Sequence, residues 1–280
     1  MAITDKEEGV WNLDEAYNKQ MAGYWSYDTS ITGLFSWGRN YGGALGLNEG
    51  TARSSPTQVG TDSTWKYLGP NNEAKGVTAI KTDGTLWAWG NNDKGTLGHN
   101  NTTAYSSPKQ VGTDTTWSTT TSSMAVKTDG SLWSWGYNFL GNMGTNDRVP
   151  RSSPIQVGYD TTWGILNASV SRYGVAAIKT DGTLWQWGKN TNSGMGINAP
   201  GNFSSPKQIP GTTWKEVGIG DDGARIAVKT DGTAWAWGDN SQGQSGVNNE
   251  TEYSSPIQIP GTSWLSVSAR RLASMAIKQI

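Results

Sequence analysis

Four short signals recur five times in register along this chain, and they constrain its fold more than any bulk property. "KTDGTLWAWGNN" (Lys81–Asn92) returns as "KTDGTLWQWGKN" (Lys179–Asn190), with ten of twelve residues identical. The second Trp of each such segment, or its equivalent, falls at Trp37, Trp89, Trp135, Trp187 and Trp237. A Ser-Ser-Pro triplet keeps step at Pro56, Pro108, Pro154, Pro206 and Pro256. So does a later Trp, at Trp65, Trp117, Trp163, Trp214 and Trp264. The fourth marker is an apolar run ending in Lys81, Lys127, Lys179, Lys229 or Lys278. Units repeated every 46 to 52 residues bury in a neighbour the face that none can bury alone.

Each unit reads as four short strands. The first starts at the later Trp ("WKEVGIG" from Trp214), and the second is the apolar run ("VAAIK", Val175–Lys179). The third is "LWAWG" and the fourth "SSPxQV". Between the second and third lies Asp83-Gly84, Asp129-Gly130, Asp181-Gly182 or Asp231-Gly232, a pair that predicts a hairpin with a type I′ turn. A four-stranded unit of this period is a propeller blade. In "LWAWG", Trp87 and Trp89 project to one face and Leu86 and Ala88 to the other. A large face packing on a neighbour's small face makes a wedge, and each buried indole contributes about 2–3 kcal/mol. Fourteen of the 16 tryptophans occupy repeated positions, so packing accounts for them.

The ends carry matching halves. "SMAIKQI" is a second strand with no third strand after it, and "ITGLFSWG" is a third strand with no second before it. The expectation is an all-β, five-bladed β-propeller over residues 31–280, closed by pairing these strands in one shared blade, which leaves no open edge.

"AIKTDGTLWAWGNNDKGTLG", followed by "SSPKQV" and then Trp, resembles the repeat of the regulator of chromosome condensation family in its Trp-rich bacterial and viral form. The resemblance spans residues 31–280. It implies a propeller, and a protein partner of the kind bound by members that regulate a GTPase or inhibit an enzyme. The founding members have seven blades against the five counted here. They often carry a Gly-His pair before the second strand, where this chain has "ARRLAS", "GDDGAR" or "SRYG".

In an antiparallel meander the Asp-Gly turns share one end, while the 1–2 and 3–4 loops share the other. The repeats differ at this second end, and variable loops on a rigid scaffold are where binding resides. Candidate ligand-binding residues there are Lys75, Arg172, Tyr173, Asp221, Asp222, Arg225, Arg270 and Arg271 on the inner loops, with Tyr41, Tyr137 and Phe139 on the outer ones. Arg39, Arg148, Arg151 and Tyr253 share the outer loops. Tyr and Arg suit recognition through contact area, hydrogen bonds and stacking.

Residues 1–30 lie outside the repeat. "GVWNLDEAYNKQMAGYW" reads as a short helix capped by Asn12, with Glu15 in the first turn and Gly23 past its end. Trp11, Leu13, Tyr17, Met21 and Trp25 make it an anchor that docks on another surface. The segment resembles "GVW-L-…-Y-…-G-W" stretches of tail-associated proteins of marine tailed phages. That likeness implies a virion protein, held to other virion proteins by this extension. Its variable face would meet a host-surface glycan or protein; the alternatives are a free protein-binding propeller module and a purely structural or decoration component of the virion.

Several functions are not expected. Lys and Arg number 22 and Asp and Glu 23, with no basic stripe, so a nucleic-acid partner is not expected. The polar start "MAITDKEEGV" is unlike a secretory signal and no apolar run reaches membrane-spanning length, so the expectation is synthesis in a cytoplasm without membrane insertion. There is no cysteine, and the one histidine, His99, is expected to be a solvated loop residue. No nucleophile has a general base in view, and "GRNYGGALG" lacks the spacing of a phosphate cradle. No enzymatic role, metal or cofactor is therefore expected, and hairpin chemistry accounts for the Asp-Gly aspartates.

Overall fold

A computed structural model describes residues 33–69, 76–164, 174–220, 223–270 and 272–280. The expected N-terminal helix and anchor lie outside these residues. Among them every strand pairing is antiparallel. The first two strands, β1 (Phe35–Gly38) and β2 (Arg53–Gln58), form a two-stranded sheet. Next come the four-stranded sheets β3 (Trp65–Leu68), β4 (Gly76–Lys81), β5 (Leu86–Gly90), β6 (Tyr105–Gln110), and β7 (Trp117–Thr121), β8 (Met124–Lys127), β9 (Leu132–Gly136), β10 (Arg151–Gln156). The fourth sheet holds β11 (Gly174–Ile178), β12 (Leu184–Gly188) and β13 (Phe203–Gln208). A bridge from Trp163 to Lys179 stands where other units have a full first strand. Then follow β14 (Trp214–Ile219), β15 (Arg225–Lys229), β16 (Ala234–Gly238), β17 (Tyr253–Gln258) and the pair β18 (Trp264–Ala269), β19 (Ser274–Lys278). The strands fall where the repeat markers put them.

The wedge forms as the alternation dictates. Trp89 and the partly buried Trp87 pack with Trp65 and with Leu34 of the preceding sheet. Leu86 and Ala88, on the opposite face, pack with Trp117, Ala125 and Trp135 of the following sheet. Four of the inner indoles also donate across the junction to the preceding unit's loop carbonyl. These bonds run from Trp89 to Ala44 (3.1 Å), Trp135 to Thr96 (2.9 Å), Trp187 to Asn142 (2.8 Å) and Trp237 to Gly194 (3.1 Å).

Two expectations need correction. The Asp-Gly hairpins are not type I′, because only the glycine takes positive φ, +78° at Gly84. Gly84 N donates to Lys81 O and Lys81 N to Thr85 O, closing a three-residue loop with a left-handed glycine. The Asp83 carboxylate instead accepts from Thr85 N and Thr85 Oγ1, an Asx turn that fixes the loop. A Cβ on Gly84 would strike the Thr115 carbonyl of the next unit, so the glycine also serves the junction. Secondly, β1–β2 and β18–β19 are separate sheets rather than one shared blade. Among the described residues the first pair packs on the sheet after it, and the second on the β14–β17 sheet before it.

Candidate functional site

The 3–4 loops emerge opposite the Asp-Gly turns, and an asparagine after each third strand fixes their course. Asn138 Nδ2 donates to the carbonyls of Asp147 and Val149, both at 3.2 Å, while its Oδ1 accepts from Met143 N. Asn40, Asn92 and Asn240 repeat this pattern, and Asn190 repeats most of it. Four of the five are buried. Each replaces several backbone bonds that a long loop would otherwise lack. The Gly-x-Asn start of each loop is visible in sequence; that its asparagine staples the whole loop is not.

A cluster of aromatic and cationic side chains stands on these held loops. Phe139 is 48% exposed, and Tyr137 meets it edge-on with centroids 5.0 Å apart. Lys94, from the preceding unit's loop, places its ammonium 5.9 Å from the Phe139 ring. Lys94 has φ +67°, a left-handed conformation that L side chains avoid. The corresponding position in the first unit is Gly42. One unit earlier, the exposed Tyr41 carries the Arg39 guanidinium 5.5 Å from its centroid. Lys94 escaped the sequence reading; a lysine in a slot that another repeat fills with glycine was the available signal.

The remaining candidates divide. Arg225 is buried, and its Nη1 donates to the carbonyls of Gly220 and Ala224, so it ties down its own loop instead of offering a charge to a ligand. Arg270 is exposed, its backbone N bonded to Ala273 O. Arg148 is exposed, whereas Arg151 reaches back to Asp147 and to the Val149 carbonyl. Tyr253 is bonded to Asn249. Lys75, Arg172, Tyr173, Asp221, Asp222 and Arg271 lie outside the described residues, as do Trp11, Leu13, Tyr17, Met21 and Trp25. His99 is half-buried rather than solvated: it stacks edge-on at Tyr105, and its Nε2 lies 3.1 Å from Lys109 O. Burial holds its pKa below the ordinary value, so the neutral ring is favoured and Nε2–H donates.

At the opposite end the repeated lysines sit over tryptophan. Lys127 Nζ lies 4.9 Å from the Trp117 centroid and 4.0 Å from Trp133; Lys81, Lys179 and Lys229 repeat this. Asp62, Asp114 and Asp160 pair with the first three of these lysines. The Lys81 hydrogen bond, followed by that of Thr64, lowers Asp62 to about 2. At Asp114 and Asp160 partial burial works upward, but bonds from Lys127 or Lys179 and from a threonine outweigh it, again giving about 2. These groups hold strands together, and among the described residues no cluster of acidic or histidine side chains could hold a metal ion.

The regulator of chromosome condensation (RCC1) repeat matches residues 83–122 and 231–276. Prp20p from Saccharomyces cerevisiae, whose structure was described with its binding properties to Gsp1p and histones, superposes with a TM-score of 0.73 at 17% identity, over 96% of this chain and 68% of its own. Human WBSCR16 superposes at 0.71 and 19% identity, over 89% and 68%. Yeast RCC1 (Prp20) bound to Kap60 gives 0.71 and 17%, over 90% and 65%. The chain thus spans about two thirds of the length of these structures. Two stretches of the chain thus match the RCC1 repeat, and its antiparallel sheets have a fold similar to that of these propeller structures.

Proposed function

We propose that this chain is a non-enzymatic, protein-binding propeller module whose contact face is the one built by the 3–4 loops. The observation that carries this is the cluster of Lys94, Tyr137 and Phe139. Its aromatic surface is exposed, its backbone is pinned by Asn138, and its lysine stands at the left-handed turn position that Gly42 and Asn192 fill in other units. Rigid aromatic anchors beside a cation give large contact area at low entropic cost. Propellers of similar fold bind other proteins: Gsp1p and histones for Prp20p, and Kap60 for yeast RCC1. A photo-crosslinking residue in place of Phe139 should capture a protein partner from extract, and the same residue in place of Asp181, at the other end, should not. Equal capture at both positions, or none at Phe139, would overturn this reading.

A finer reading makes the module a tail-associated phage virion protein, held through residues 1–30 and offering the same face to a host-surface glycan or protein. It is supported by the resemblance of that first segment alone. The full chain should then bind candidate host cells, and Tyr137→Ala/Phe139→Ala should abolish binding while remaining folded. A full chain that binds no plausible host contradicts the virion reading and leaves the binding module standing.

A further inference from the structure

The two-stranded sheets at either end of the fold are complementary halves. Phe35 and Trp37 on β1 are 50% and 60% exposed, and Met275 and Ile277 on β19 are 55% and 63% exposed. Their sequences nearly copy a pair that is already zipped. Ser123–Lys127 reads SMAVK and 132–136 reads LWSWG; Ser274–Lys278 reads SMAIK and 34–38 reads LFSWG, agreeing at eight of ten positions. In the zipped pair Met124 stands opposite Ser134, Ala125 opposite Trp133 and Val126 opposite Leu132. The same register puts Met275 opposite Ser36, Ala276 opposite Phe35 and Ile277 opposite Leu34. Other units use different pairs, Thr78 with Ala88 and Ala176 with Gln186.

The packing surface matches too. At four junctions a glycine of the preceding loop lies against the next unit's inner indole: Gly46 on Trp89, Gly98 on Trp135, Gly144 on Trp187 and Gly196 on Trp237. Among the described residues the fifth, Gly246, meets only Ile259, at 3.8 Å, and no indole lies in its notch. Gly43, Gly95 and Gly141 press on Ser106, Ser152 and Ser204, whereas Gly243 has nothing within 4 Å. Asn48, Asn100, Asn146 and Asn198 donate their backbone N–H to Ser106, Ser152, Ser204 and Ser254. The fifth such pair would be Asn248 with Ser54. Lys278 sits over Trp264 alone, at 5.1 Å, where other repeated lysines have a second ring; Phe35 occupies that second position in the repeat.

We infer that a second copy of this chain docks here head to tail, its β1–β2 hairpin completing the blade begun by β18–β19. Trp37 of the incoming copy fills the notch at Gly246 and donates to the Gln244 carbonyl. Its β1 pairs with β19, an edge-strand addition that satisfies an exposed ladder on each side. The occupant is a second copy because each copy carries both matching halves and, among the described residues, its own two belong to separate sheets that expose Trp37, Met275 and Ile277. The contact is heterologous, so assembly propagates to a ring or a filament according to the rotation per copy.

The absence of cysteine makes the test direct. Full-length Ser36→Cys and Met275→Cys chains, prepared separately and mixed under mild oxidation, should give a disulfide-linked dimer. The yield should be at least about tenfold that of Met275→Cys mixed with Tyr159→Cys, whose site is 98% exposed but away from the junction. Adding Trp37→Ala to the Ser36→Cys chain should lower the yield severalfold without changing its circular dichroism. Two results overturn the inference: a yield no higher than the control, or a chain carrying both cysteines that links only to itself.

Discussion

Trp187 and Trp37 occupy the same position of the same repeat, yet one is fully buried and the other 60% exposed. Their own strands are alike; what differs is the neighbour. Trp187 lies against Gly144 and donates to Asn142 of the unit before it, and among the described residues no unit stands before Trp37. A blade of this kind therefore does not bury its own tryptophan. Stability resides at the junctions, as in other stacked repeats.

The largest effect that would break this comparison is at the indoles themselves. Trp187→Ala should cost about 3–5 kcal/mol in urea unfolding, as large-to-small core changes do. Trp37→Ala, in dilute solution, should stay within about 0.5 kcal/mol, as surface changes do. Equal losses would show that the tryptophan stabilises its own blade. Next in size is the loop staple. Asn138→Ala strands several buried backbone groups and should cost about 1–3 kcal/mol, with faster amide exchange across residues 139–150. No change in that exchange would make the asparagine incidental.

The acid limb is gentler. Asp62, Asp114 and Asp160 are held at about 2 in the fold against an ordinary 3.8, so folding favours their ionised forms. Their contribution is complete above the ordinary value and fades as pH falls from there toward 2. A chain with all three changed to Asn should lose that part of its acid sensitivity, read as a flatter midpoint between those pH values. The smallest effect belongs to the contact face: Phe139→Ala should move stability by no more than about 0.5 kcal/mol, since the ring is half in solvent. A large loss there would make Phe139 a packing residue and remove the basis of the binding proposal.

The strands, their order and the packing faces were legible in the sequence because each is dictated by a short-range rule repeated five times. Alternation placed Trp87 and Trp89 opposite Leu86 and Ala88, and the clusters follow it. The turn type was not legible, since Asp-Gly suits more than one hairpin loop and the Asx bond of Asp83 decides between them. Nor was the fate of Arg225: an arginine beside a glycine-rich loop reads as a surface charge until the carbonyls of Gly220 and Ala224 are seen around it. The open junction was hidden for a different reason. Sequence shows that β19 and β1 match, but not that one chain leaves them apart. Of the contact face, Tyr137 and Phe139 were legible as loop aromatics, while Lys94 sits a unit away in sequence and only the fold brings its ammonium to Phe139.

The most direct test follows the indole N–H protons, each assigned by a single Trp→Phe change, through hydrogen exchange at increasing protein concentration. The account predicts that Trp89, Trp135, Trp187 and Trp237 are protected at every concentration. Trp37 should exchange as a free indole in dilute solution and become protected as copies associate. A Trp37 proton protected even at the lowest concentration would contradict it, because its notch would then lie within its own chain.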